Sequence, residues 1–578
     1  MFELSDQKKR LLNTNGPLLI LGGPGSGKTT IALLKANQII EQGGLSKGQL
    51  VLFLSFARAT VSRVEEQVGQ MISTDNKKHI EVNTYHGFIW GILRSHGYLL
   101  NSKSPLKLLT PPEAASRFAN ISNEQKAAEK KRLFDVEGIV HFDLFASLGA
   151  ELLSRSNSLA RIISDAYPVV ILDEFQDTNL DEWSFIKELG KRSRLIALAD
   201  AEQRIYEFRG ADPARISEFI KQYSPQQFDF GSENNRSSGT DIATFGNDLL
   251  AGRNKEKKYN NVQIVTYPFR KGDWVHFDVK VAAIKAVRKL IAAGQKSKWS
   301  VAVLVPTKRL MIEVSDYFSE TQNIRNKTLR RIPHEVALET TGPSLAAILI
   351  GELLDLGVAK VNGLNQLIKN LCEHIRGRNG NEPPSKANLE LSTALLDYLA
   401  TGKIRGTKRQ SIINDCKAIN DAIYDLEYSG NPSEDWIQIV DILSKSSSDV
   451  IKQVVVDSKY LRILHKGSEL RSSLSTLWRS YGSYRGAGQA IRLSLLQEYF
   501  SSSTKEYRGI HIMTIHKSKG KEFDEVIIYE GLFQGKIVNT IGGTKSIEQS
   551  RLSLRVGVTR ARQNTTIITP ASDMCPFL

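Results

Sequence analysis

Residues 18–30 constrain this chain more than any other stretch: the apolar run Leu18, Leu19, Ile20, Leu21 breaks into Gly22, Gly23, Pro24, Gly25, Ser26, Gly27 and ends in Lys28, Thr29, Thr30. The spacing Gly22-x4-Gly27-Lys28-Thr29 is that of a phosphate-binding loop. Glycines let successive backbone N–H groups turn toward one centre, the lysine adds a point charge for the β- and γ-phosphates, and the threonine offers a hydroxyl to Mg²⁺. Ile31 to Ile40 has helical periodicity, so the phosphates would also rest on a helix N-terminus. A bare glycine-rich turn is the simpler alternative. It is outweighed because strand, loop and helix come in the required order and a matching acidic segment follows downstream.

That segment is Val169 to Leu172 running into Asp173, Glu174, Phe175, Gln176 and Asp177. A carboxylate at the end of an apolar strand is placed to hold Mg²⁺ opposite Thr29. Glu174, one residue on, is placed to take a proton from an attacking water. Upstream, Ser5 or Asp6 would cap a short helix that carries the amide of Gln7 toward the nucleotide. The runs Val51–Ser55 and Ile80–Thr84 alternate with helical segments, so a doubly wound parallel α/β sheet is expected over the first 100 residues. Phe56, Tyr85 and His86 then fall just past strand ends, where such sheets bind ligands, although a single aromatic there is commonly a core residue. The strand Arg194–Ala199 leads into Asp200–Ala211, with Gln203 suited to orient a water or touch a γ-phosphate. Tyr206 and Phe208 offer ring faces beside Arg209 on which bases of any sequence could stack.

At 578 residues the chain requires several domains. Its net charge of +15 favours a polyanionic partner, nucleic acid above all. No apolar run approaches the ~20 residues that span a bilayer, and no signal pattern opens the chain, so a cytosolic protein without a membrane partner is expected. Cys372, Cys416 and Cys575 stand far apart with no CxxC pair, which indicates neither a disulfide framework nor a zinc site. The basic run Lys126–Arg132 reads first as a solvated helix face and second as a nucleic-acid contact.

Six blocks in order resemble the UvrD/Rep/PcrA-type superfamily 1A helicases: Gly22–Thr29, Asp173–Asn179, Gln203–Ala211, Glu233–Ser238, Met513–Phe523 and Val556–Arg562. The resemblance implies two RecA-like parallel-sheet P-loop domains, each with a mainly helical insertion. Domain 1A would be residues 1–86 and 161–230, insertion 1B residues 87–160, domain 2A residues 231–340 and 501–578, and a 2B-like insertion residues 341–500. It implies ATP-driven 3′–5′ movement on single-stranded DNA and action at single-strand/duplex junctions. By position, Gln7 resembles the adenine-reading glutamine, Lys28 and Thr29 the phosphate and Mg²⁺ residues, and Asp173 and Glu174 the metal ligand and catalytic base. Gln203 resembles the γ-phosphate sensor, Arg236 and Arg560 the arginine fingers, and Glu522 the ribose-side residue. Phe56, Tyr85, His86, Tyr206, Phe208 and His516 fall where the family touches single-stranded DNA.

The second half agrees: Val301–Val305, His511–Thr514, Val526–Tyr529 and Thr565–Ile568 read as strands of another parallel sheet, with helices over 274–291 and 309–318. Several positions depart from the family. Thr30 and Asn235 replace the arginine and aromatic that sandwich adenine, Lys521 replaces a leucine, and Arg555 stands where an aromatic is common. The chain ends 16 residues after Arg562, which leaves no room for a C-terminal tail or a fused nuclease. A second reading follows from these features: a DNA-activated ATPase switch working with a partner nuclease, as in anti-phage systems such as Gabija. An RNA helicase fits the charge but not the motif set.

Overall fold

The computed structural model of the chain describes residues 5–23, 25–56, 58–100, 106–200, 214–231, 239–295, 299–324, 327–336, 341–359, 363–380, 383–459, 469–500, 508–538 and 543–578. Sixteen strands are assigned among them. The first sheet takes β1 (Leu18–Leu21), β2 (Val51–Ser55) and β3 (Ile80–Thr84). A small separate pair, β4 (Lys107–Leu108) and β5 (Ile139–Val140), interrupts it, and β6 (Val169–Leu172), β7 (Arg194–Ala199) and β8 (Gln226–Asp229) complete it. The order β3-β2-β6-β7-β1-β8 is parallel throughout. Leu18, Leu19 and Ile20 of β1 are fully buried, as a central strand covered on both faces requires. Helix α1 (Asp6–Asn13) precedes β1 and helix α2 (Lys28–Glu41) follows it directly.

The second sheet begins with β9 (Val262–Tyr267) and β10 (Ser300–Val305). An antiparallel pair, β11 (Gln322–Ile324) and β12 (Lys327–Leu329), leads to β13 (His334–Val336), and β14 (Gly509–Thr514), β15 (Phe523–Tyr529) and β16 (Ala561–Pro570) close the set. Their order is β13-β14-β10-β15-β16-β9, again parallel. Side chains alternate between two cores: Val301, Val303 and Val305 of β10 enter one, Ala302 and Leu304 the other. The chain therefore carries two parallel-sheet α/β lobes of RecA type. The strands expected at 301–305, 511–514, 526–529 and 565–568 are all present, lengthened by a few residues at their ends.

Both sheets belong to one compact unit, drawn from Met1–Ile89, Gly149–Leu338 and Ser502–Leu578. The other unit, from Trp90–Leu148 and Glu339–Ser501, is mainly helical. Its axis is the helix Thr341–Ala359, buried from Leu345 through Leu354 on nearly every side, as a helix surrounded by others must be. The two insertions thus share one body. Arg492 of the later one reaches Glu113 of the earlier one at 3.0 Å and Glu352 at 2.5 Å. Two members of the basic run at 126–132 are paired within this body: Arg132 with Glu129 and Glu137, and Lys130 with Asp143. Cys372 and Cys416 are buried in the same helical core, and Cys575 in the second lobe. Among the described residues, no helix is long and apolar enough to cross a membrane.

Candidate nucleotide and nucleic-acid site

The loop after β1 shows why its residues are glycines. Gly25 and Gly27 hold φ values of 79° and 87°, and a Cβ on Gly22 would stand 2.7 Å from Ser26 Oγ. Gly23 N–H donates to Gly231 O at 3.1 Å, and Lys28 Nζ folds back onto Gly22 O and Gly23 O at 2.5 and 3.0 Å. Ser26 Oγ is buried with no hydrogen-bond partner among the described residues. Left-handed glycines, a lysine and a buried hydroxyl without a partner, gathered in one loop ahead of a helix N-terminus, are the parts of a cradle for phosphate oxygens. Thr29 and Thr30 sit in the first turn of α2, both half-buried. Pro24 lies outside the described residues.

One strand, β7, separates β1 from β6, so the loop leading to Thr29 and the strand end carrying Asp173 open on the same side of one sheet. Asp173 is buried and accepts from Ser55 Oγ at 3.1 Å. A threonine hydroxyl and a carboxylate, completed by phosphate oxygens and water, are the hard oxygen donors that Mg²⁺ takes. Among the described residues, no cluster of three or more His, Cys, Asp or Glu side chains forms a metal site of its own, so the nucleotide would have to supply the remaining ligands.

Glu174 has φ 53° and ψ 38°, a left-handed conformation rare for a residue with a side chain and one often found where function demands it. Gln176 Nε2 donates to Glu174 Oε2 at 2.6 Å, while Gln176 Oε1 accepts from Asp200 N at 3.0 Å. The amide thus couples the end of β6 to the end of β7. Burial alone would raise the Glu174 carboxyl, but Lys519, Lys28, Gln176 and Arg560 together hold it below its ordinary value. It is a carboxylate ready to accept a proton.

Two of those cations come from the second sheet. Arg560 lies in the turn between the helix Gly543–Val558 and β16, 3% exposed, and donates to Val556 O at 2.9 Å and Thr559 Oγ1 at 3.3 Å. Lys519, beyond β14, forms a buried ion pair with Asp177. Burial first, then the charge of Glu174, pushes the Asp177 carboxyl upward, with Lys519 pulling the other way. Arg555 is 1% exposed, donates to Asn247 Oδ1 at 3.0 Å and stands 4.0 Å from Asp200. Sequence reading singled out Glu174 and Arg560 but gave no role to Gln176, Asp177 or Lys519. Both charged partners lie inside recognised motifs, yet nothing in Lys517, Lys519 and Lys521 says which lysine crosses to the first lobe.

The other expected residues are placed as follows. Gln7 donates to Asp229 O at 2.9 Å, at the end of β8. Glu522 immediately precedes β15 and faces Arg562 at 3.5 Å. Phe56 and Tyr85 stack at 4.4 Å between centroids, at the ends of the neighbouring strands β2 and β3. Tyr85 is 1% exposed, so it backs Phe56 rather than presenting its own face, while His86 is half-buried. His516 is exposed in the short helical turn after β14. Gln203, Tyr206, Phe208, Asn235 and Arg236 lie outside the described residues.

A glycine-rich phosphate cradle, a buried acidic pair at the next strand but one and cations delivered from a second parallel sheet define a P-loop nucleoside-triphosphatase with two RecA-like lobes. Residues 4–137 and 123–224 match the UvrD/REP helicase N-terminal domain, and residues 449–572 match the UvrD-like helicase C-terminal domain. The chain belongs to the UvrD-like helicase family. Similar proteins include a probable DNA helicase II homolog of Rickettsia conorii, 21% identical over 97% of this chain and 91% of the relative. The putative ATP-dependent DNA helicase YjcD of Bacillus subtilis is 22% identical over 98% and 79%, and the ATP-dependent DNA helicase PcrA of Staphylococcus aureus 21% over 99% and 83%.

Proposed function

We propose that this protein is an ATP-dependent DNA helicase that moves 3′ to 5′ along single-stranded DNA and opens duplexes at single-strand/duplex junctions, working in the cytosol. The observation that carries it is the buried ion pair of Asp177 with Lys519 of the other lobe, which brings Lys519 and Arg560 within electrostatic reach of Glu174 beside Lys28. Such a site is complete only when the two lobes are closed on each other, so nucleotide turnover would be coupled to their relative motion. On this reading 1A is 1–86 and 161–230, 1B is 87–160, 2A is 231–340 and 501–578, and the 2B-like insertion is 341–500.

ATP is the substrate. The loop from Gly22 to Gly27 would hold the phosphates, Lys28 would leave Gly22 O for the β- and γ-oxygens, and Gln7 would reach the adenine edge. Thr29 and Asp173 would hold Mg²⁺, which when bound neutralises charge on the bridging phosphate oxygens. Glu174 accepts the proton of the water that attacks the γ-phosphorus, with Gln203 orienting that water. Arg560 and Arg236 stabilise the charge that builds on the transferring oxygens, and Glu522 sits on the ribose side. Phe56, backed by Tyr85, with His86, Tyr206, Phe208 and His516, would hold the strand that each closure advances.

Thr30 at the expected adenine clamp supports a second reading, in which DNA switches on the ATPase within a nuclease-associated complex, as in anti-phage defence, with little unwinding by this subunit alone. Duplexes with a 3′ tail, a 5′ tail or no tail, incubated with ATP while hydrolysis is followed in the same tubes, separate the two. Unwinding confined to the 3′-tailed duplex is expected. Hydrolysis stimulated by DNA without strand separation would replace the helicase reading with the switch.

A further inference from the structure

The carboxyl ends of β9 and β15, with Leu310 and Glu313 of the helix Lys308–Ser319 that follows β10, line an open cavity of about 320 Å³ that no residue of the ATP site touches. The size is that of small-ligand sites, which run from ~300 to 1,000 Å³. Its rim is aromatic and exposed. Phe533 is 83% exposed and Phe269 50% exposed, and the two rings meet edge to face at 5.8 Å. One exposed phenylalanine is ordinary, but a paired set over a cavity is a binding surface.

Phe533 is held there by construction. Gly531 N–H donates to Gly535 O at 3.2 Å, closing a tight turn with the ring at its tip. A Cβ on Gly531 would lie 2.0 Å from Gln534 O, and one on Gly535, at φ 72°, 2.7 Å from Leu310 Cδ2. The turn therefore needs glycine at both ends, and it presents an apolar ring to water.

We infer that this cavity is a base-capture subsite for single-stranded nucleic acid, an inference that rests on the DNA reading above. Three observations choose this occupant. Lys271 is exposed at the rim with Nζ 5.5 Å from the Phe269 ring centre, so positive charge borders the aromatic surface. Glu313 lines the cavity, held by Gln534 Nε2 at 2.5 Å and Arg309 at 3.2 Å. A carboxylate there repels a phosphate but accepts from the exocyclic amine of a base. The cavity also continues a row along one sheet edge: β14, whose end carries His516, neighbours β10, and β9 lies three strands beyond β10. At ~4.8 Å per strand that row is ~19 Å long, the reach of a few nucleotides of extended strand. The phosphates would pass Lys271 and Arg309 while one base turns in against Phe533.

The test uses the full chain and mixed-sequence single strands of 6 to 30 nucleotides, some carrying 2-aminopurine at successive positions. Phe533→Ala, harmless to folding at so exposed a site, should weaken binding of the long strands about fivefold or more. It should also remove the fluorescence quench at one position of the strand, with no effect on strands too short to span the row. Lys271→Ala should lower the salt slope of binding by about one phosphate contact. Wild-type binding that Phe533→Ala leaves unchanged at every length and position would overturn the subsite alone, as a pocket for a protein partner would. A wild-type chain that binds no single strand at all would overturn the DNA reading itself.

Discussion

At the scale of single residues, the ion pair between Lys519 and Asp177 decides how the acidic segment after β6 behaves. Two carboxylates, Glu174 and Asp177, share a buried corner, and like charges so close would drive one of them to protonate. Lys519 and Lys28 keep Glu174 ionised. Lys519→Ala removes the larger of these influences, so the Glu174 pKa must rise, and a base that is lost by protonation fails at a higher pH. The acid limb of the pH profile of DNA-stimulated ATP hydrolysis should therefore move to higher pH. A profile that keeps its shape and only loses height would mean that Lys519 acts elsewhere. The acids themselves are visible in the sequence because an apolar strand ends on them. Their cationic partner is not, because it stands 342 positions away on another strand end.

At the scale of elements, the short turn Phe142–Leu144 in the helical unit shows a pH dependence built from a cap. His141 Nδ1 accepts from Asp143 N at 3.1 Å, which requires the unprotonated ring, and Phe118 packs edge-on against it. Burial pushes the imidazole down to about 4. The unfolded ring takes its proton near ~6.5, so the stability this group contributes is complete above that pH and drains away as pH falls toward 4. Between pH 7.5 and 5 the loss should be about 2 kcal/mol, read from denaturant unfolding. His141→Asn keeps an acceptor at the cap and should flatten that dependence. A variant as pH-sensitive as the parent would place the titration elsewhere. The helical character of this region is legible from its periodicity. That Lys130 and Arg132 pair with Asp143 and Glu137 is a matter of how Asn123–Arg132 packs, and a one-dimensional charge run carries no information about that.

At the scale of the whole molecule, a net charge of +15 sets the terms on which the protein meets a polyanion. If about four phosphates of a single strand are neutralised, affinity should fall roughly 50-fold between 50 and 200 mM salt. A flat dependence measured by titration at several salt concentrations would remove electrostatics from binding. The two insertions, read separately along the chain, form one helical body, because Glu113 and Glu352 both need Arg492 and the apolar faces of Pro111–Arg117 and Gly363–Gly377 need each other.

The sequence by itself determined the central strands of both sheets, though not β8, β9 or β13, together with the phosphate loop and the acids after β6. Each of these is a local pattern: a continuous apolar run, a glycine spacing, a carboxylate at a strand end. What only the tertiary structure decided is which distant residues complete them: Lys519 against Asp177, Gln176 across to Asp200, Tyr85 behind Phe56, Phe269 against Phe533. These pairings depend on strand order, and strand order is set by which strands are buried on both faces at the centre of each sheet and which stand partly exposed at its sides. No window of neighbouring residues contains that balance.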